Sequence, residues 1–152
     1  MTEIAADFRT RLRAREPLLG VWMKTPSPIV AEVLGQAPLD CVCIDAEHAP
    51  FDRLAIDGCV AAFRAASKPS LVRVPAAREE HILGALDCGA SGVVIPHVTS
   101  AEEAAKIAKA SHYGAGGRGF AGSTRAAGYG AVGLGAHLKA SRAGTSVVAQ
   151  IE

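Results

Sequence analysis

The feature that most constrains this chain is the alternation of short, unbroken apolar runs with amphipathic stretches. Residues 19–23, 40–44, 71–74, 92–95 and 146–151 read as strands. Their apolar residues are consecutive rather than alternating, the pattern of strands buried on both faces in a parallel sheet covered by helices. Helical periodicity fills the intervals, over residues 2–14, 27–35, 52–66, 78–88 and 100–111, as with Ile4, Phe8 and Leu12 in the first. Local signals agree. Pro28 suits a first helical turn. Asp52 can cap the third helix, Gly89 can end the fourth, and Ser100 with Glu103 forms a capping-box pattern. The expected fold is α/β. Periodicity alone leaves a closed barrel and an open doubly wound sheet both possible.

The chain has 152 residues, enough for one domain with a core. It is too short for a whole (β/α)₈ barrel, which takes roughly 250 residues. A net charge of +1 argues against nucleic acid or an anionic membrane as partner. No apolar run approaches the ~20 residues of a membrane span, and residues 1–15 lack a signal-peptide core. A cytoplasmic protein is expected. Cys41, Cys43, Cys59 and Cys88 show no zinc spacing and read as reduced, buried thiols. Residues 112–145 are glycine-rich, with a short helix expected near 134–140, and suggest a functional or disordered loop. The run from Gly114 to Gly119 spells G-x-G-x-x-G, but a helix precedes it where a dinucleotide site needs a strand.

Polar residues collect after the strands. Lys24 follows the first, Asp45-Ala46-Glu47-His48-Ala49-Pro50 the second, and Arg73 ends the third; His97 follows the fourth, and Gln150-Ile151-Glu152 closes the last. In parallel α/β proteins chemistry gathers at these carboxyl ends. Singly, each residue has a structural reading. His48 could be a hydrogen-bonded loop histidine, Arg73 a partner of Asp45 or Glu47, and Glu152 a solvated terminal residue. Lys24 could form a Schiff base, although a solvated or substrate-rim lysine fits its turn-like neighbours better. A structural role outweighs a catalytic one for His97. Together the residues point to an anionic small-molecule site with a base, a cation and a metal ligand.

At residues 45–50 the chain resembles the HpcH/HpaI-type class II pyruvate aldolases, which cleave 4-hydroxy-2-oxoheptanedioate and 2-dehydro-3-deoxyglucarate. Gly20-Val21-Trp22, Val72-Arg73-Val74-Pro75, Leu86-Asp87-Cys88-Gly89-Ala90, Val94-Ile95-Pro96, Gly117-Arg118-Gly119 and Gln150-Ile151-Glu152 extend the resemblance in order along nearly the whole chain. The resemblance implies a (β/α)₈ barrel, present here as its first five or so units. It also implies a divalent metal (Mg²⁺, Mn²⁺ or Co²⁺), a homo-oligomer, often a hexamer, and substrates that are a 2-oxo acid and an aldehyde.

Carried over by residue, the resemblance makes His48 the base, acting through a metal-bound water, Asp87 its hydrogen-bonding partner and Arg73 the cation facing the 2-oxo oxygen. Glu152 becomes the metal ligand with Gln150 beside it, and Gly117 and Arg118 border the substrate carboxylate. These residue types suit the reaction. Cleavage removes a proton from the 4-hydroxyl, work suited to histidine near pH 7. It leaves a pyruvate enolate, whose charge a Lewis acid and a fixed guanidinium stabilise. The family's second carboxylate ligand would follow Glu152, so the resemblance marks residues 1–152 as the N-terminal part of a barrel that is inactive alone. Two rival readings are an acyl-CoA lyase of the same superfamily, disfavoured by scattered basic residues, and a non-catalytic remnant.

Overall fold

The computed structural model describes residues 2–151. Five parallel strands form one sheet: β1 (Gly20–Met23), β2 (Cys41–Asp45), β3 (Ser70–Arg73), β4 (Gly92–Val98) and β5 (Ser146–Ile151). Helices α1 (Thr2–Arg13), α2 (Pro28–Gln36), α3 (Arg53–Ala65), α4 (Glu79–Asp87), α5 (Ala101–Ser111) and α6 (Leu134–Gly144) precede or link them. The strand order is β1-β2-β3-β4-β5, with no reversal. A doubly wound sheet reverses its order at a switch point. Monotonic order with same-handed crossovers instead places the connecting helices on one face and leaves the other to line a barrel interior.

The two faces have separate cores. Outward residues Val42, Ile44, Val72, Val93 and Ile95 pack with Ala31, Val60, Phe63, Ile82, Leu86 and Ile107 of the helices. Inward residues Cys43, Leu71 and Val94 form a second cluster with Phe8 of α1. The N-terminal helix thus fills the lower interior, and it also packs against α6. All four cysteines are free; Cys43, Cys59 and Cys88 are buried as expected while Cys41 is only half-buried, and burial pushes Cys43 up to about 12. Asp52 caps α3 by accepting from the Ala55 amide at 2.7 Å. Ser100 caps α5 by accepting from the Glu103 amide, while Glu103 turns back to Thr99 rather than to Ser100. Ser27 occupies the cap position of α2 without a side-chain bond.

The glycine-rich segment is ordered into a Tyr113–Arg118 bridge, a 3₁₀ turn at Gly128–Gly130 and α6, which is longer than the helix expected. It links the end of α5 to the start of β5. It therefore lies at the amino-terminal end of the sheet, opposite the strand ends where Arg73 and His48 stand.

Candidate active site

Strand alternation builds the site. On β2, Cys41, Cys43 and Asp45 share the inward face, and register sets Asp45 beside Arg73 on β3. Asp45 is fully buried and takes both oxygens to Arg73, at 3.0 Å from Nε and 2.8 Å from Nη2. Its Oδ1 also accepts from the amides of Glu47 (3.3 Å) and His48 (3.1 Å), so one carboxylate fixes both the guanidinium and the turn that carries the imidazole. Lys24 Nζ stands 3.4 Å from the other oxygen. Burial alone would raise the pKa of Asp45. The Arg73 hydrogen bonds, the His48 amide and the Arg73 charge outweigh it, and the carboxyl is held at about 2. Arg73 is raised in turn, chiefly by its hydrogen bonds to Asp45.

Around this pair the rim closes. Trp22 of β1 stacks on the guanidinium, 4.5 Å from ring centroid to Cζ. Glu47 Oε2 is 3.2 Å from Arg73 Nε and 3.7 Å from His48 Nε2, and Glu47 Oε1 is 3.0 Å from His97 Nε2. His48 is 60 % exposed, open to a ligand. Arg73 Nη1 has no hydrogen bond among the described residues, so its donors remain for a ligand oxygen. The structure therefore brings His48 and Arg73 together through Glu47. Gln150, half-buried on β5, shares the inward face with Val148, the register partner of Val94. Glu152 lies outside the described residues.

Three expected site residues are elsewhere. Asp87 is the last residue of α4, and its carbonyl accepts from the Ala126 amide. Its carboxyl is raised by burial, against the pull of Arg118, Arg53 and His137. No hydrogen bond or ion pair joins it to His48 among the described residues. Arg118 is buried with its guanidinium 4.0 Å over the Tyr113 ring, and Tyr113 hydroxyl is 3.0 Å from His137 Nε2. Gly117 is tight against the main chain, where a Cβ would come within 2.9 Å of the Lys109 carbonyl oxygen. The expectations that Asp87 orients His48 and that Gly117 and Arg118 border the substrate do not hold within one chain. Helix-to-strand connections carry these residues to the amino-terminal end of the sheet. The order of elements already contained that signal: residues 112–145 lie between a helix and a strand.

Asp45, Glu47 and His97 are the site members that sequence reasoning undervalued. For Asp45 the usable signal was its inward parity with Cys41 and Cys43. The described residues do not by themselves fit a divalent cation. No three His, Cys, Asp or Glu residues gather to hold one. Glu47 Oε2 is the rim's buried carboxylate oxygen without a hydrogen bond, and it faces the Arg73 cation.

Residues 18–152 match the family described as HpcH/HpaI aldolase/citrate lyase. The chain belongs to this family. A hydroxypyruvate/pyruvate aldolase of Paraburkholderia phytofirmans is 36% identical over 137 residues, covering 86% of this chain and 53% of that protein. A 5-keto-4-deoxy-D-glucarate aldolase of Klebsiella pneumoniae is 35% identical over 106 residues, covering 70% and 41%. Among solved structures, an HpcH/HpaI aldolase/citrate lyase family protein of Burkholderia cenocepacia superposes with a TM-score of 0.88 at 35% identity. That match covers 97% of this chain and 60% of that one. A citrate synthase, SbnG, gives 0.79 at 28%, covering 95% and 55%. As an HpcH/HpaI chain it carries five consecutive parallel strands of the barrel, with their connecting helices, and spans about half the length of the curated relatives it matches. No helix among the described residues is long and apolar enough to cross a membrane.

Proposed function

We propose that the rim centred on Arg73 serves an aldolase that cleaves 4-hydroxy-2-oxo acids to pyruvate and an aldehyde, in a polypeptide that also carries the remaining barrel strands. One observation carries this reading. A guanidinium is pinned by the buried carboxylate of Asp45, roofed by Trp22, and left with free Nη1 donors beside an exposed imidazole. In the cleavage step, the C3–C4 bond breaks as the proton of the 4-hydroxyl passes to His48. The electron pair moves into the enolate of pyruvate, whose oxygen meets Arg73 Nη1, and protonation at C3 completes pyruvate. A donor held in place before reaction stabilises such charge without reorganisation. The curated relatives named as aldolases support the reaction class.

The divalent ion implied by the resemblance would rest on Glu152, and no step here is routed through it. Asp87, at the far end of the sheet, would reach His48 only from a second copy of the chain, which accords with the expected homo-oligomer. The acyl-CoA alternative calls for several cations to meet phosphates; among the described residues Lys24 and Arg73 stand at the rim, and both face Asp45.

The test uses the full-length polypeptide with Mn²⁺ or Co²⁺, pyruvate and a short aldehyde, following C–C bond formation. We expect product, lost on adding EDTA and regained with metal. Activity that survives EDTA and is trapped by borohydride would transfer the chemistry to Lys24.

A further inference from the structure

We propose that His97 is a positioning residue: through Glu47 it fixes the guanidinium of Arg73 at the rim. Its kinetic consequence rests on the aldolase reading above; its structural one does not. Three features converge on His97. It lies at an irregularity of β4, where the register with β5 shifts between Ile95 and Val98, directly after the buried Pro96. Proline inside a strand is tolerated at such bulges. Its backbone sits at φ +56°, a left-handed conformation that strains a residue with a side chain. The irregularity re-aims the side chain over the end of β3, so that Nε2 comes within 3.0 Å of Glu47 Oε1. The bond joins β4 to the segment after β2, two elements that are not neighbours in the sheet.

Glu47 needs that bond. Its side chain is 8 % exposed, and its other oxygen has no hydrogen bond. A buried carboxylate without a hydrogen bond is costly and turns toward any donor it can reach. The nearest alternative is His48, whose Nε2 is 3.7 Å from Oε2. With His97 in place, Oε2 stays 3.2 Å from Arg73 Nε, and the guanidinium is held by a second carboxylate besides Asp45. Without His97, the carboxylate is free to swing to His48. Arg73 then loses one anchor, and the proposed base gains an ion-pair partner in place of the substrate.

The experiment compares three full-length proteins: wild type, His97→Gly and His97→Gln. Glycine removes the imidazole and relieves the left-handed backbone, which offsets part of the cost of the lost bond, so His97→Gly should still fold. Glutamine returns an N–H donor near the position of Nε2. Crystal structures give the activity-independent readout. In His97→Gly, Glu47 should leave Arg73 Nε and turn to His48 or solvent; in His97→Gln it should return. Kinetics give the second readout. His97→Gly should lose roughly ten- to a hundredfold in kcat with KM for the 2-oxo acid changed less than threefold, as expected when a transition-state donor is misplaced. His97→Gln should recover most of that loss. Glu47 unmoved in His97→Gly, or turnover in that variant equal to wild type, would overturn the proposal. A wild-type protein that releases no pyruvate would refute the aldolase reading instead, and the crystal structures would still decide the role of His97.

Discussion

Asp45 organises the rim because it accepts more bonds than its neighbours: two from Arg73 and two from the turn amides. Removing its cation leaves a buried, uncompensated carboxylate, the costly way to break such a pair. We expect Arg73→Ala to destabilise the protein by about 3 kcal/mol or more, read from urea unfolding midpoints, and to abolish turnover. Smaller loss on Asp45→Asn/Arg73→Ala than on Arg73→Ala alone would confirm the stranded charge. The same pair sets an acid limit. Asp45 is held at about 2, below its ordinary value of 3.8, so the folded state binds its proton less readily than the unfolded chain. The stability it contributes is complete above about pH 4 and is lost as pH falls toward 2. Unfolding midpoints measured across that window should fall less steeply in Asp45→Asn. The sequence placed Arg73 and His48 correctly at strand ends. It also offered Asp45 or Glu47 as the partner of Arg73, and Arg73 meets both; it did not reveal that Asp45 holds the His48 turn as well, because an aspartate at a strand end reads equally well as a loop residue until the register of β2 and β3 is known.

At the scale of elements, agreement was good where the cause is local. The helix starts at Arg53 and Ala101 follow from single capping side chains, Asp52 and Ser100. The left-handed Gly89, at φ +93°, lies just past the end of α4 as expected. Sheet assembly is less local. Gly92 pairs with Ser146, and a Cβ there would overlap the Ser146 main-chain carbonyl. A backbone obstacle cannot rotate away, so the two strands must separate or a bond must break. We expect Gly92→Ala to cost about 1–3 kcal/mol, in the range of overpacked sites, with thermal unfolding as the measurement. No change in the melting temperature would show that β4 and β5 tolerate displacement. Nothing in the sequence singles out Gly92 from the other glycines, since the constraint comes from a strand more than fifty residues away.

Across the whole molecule, chemistry-bearing residues divide between two ends. His48, Arg73, Glu47 and His97 occupy the carboxyl end of the sheet. Asp87 and Arg118 belong to connections at the amino end, where the buried Arg118 lies over Tyr113. If Asp87 assists His48, it does so between copies. Full-length His48→Ala and Asp87→Ala proteins, each expected to lose at least tenfold in kcat, should regain activity when unfolded, mixed and refolded together, because some interfaces then pair an intact His48 with an intact Asp87. Mixed samples no more active than the separate variants would confine Asp87 to a structural role.

The sequence alone determined the elements, the parallel α/β class and the strand ends at which to look, because hydrophobic period, caps and turns act over a few residues. It also carried the family resemblance. Tertiary structure decided that the sheet is wound in one direction, which carboxylate holds Arg73, and which residues share an end. Those outcomes depend on register and on the direction of each connection, set by contacts between segments far apart in the chain.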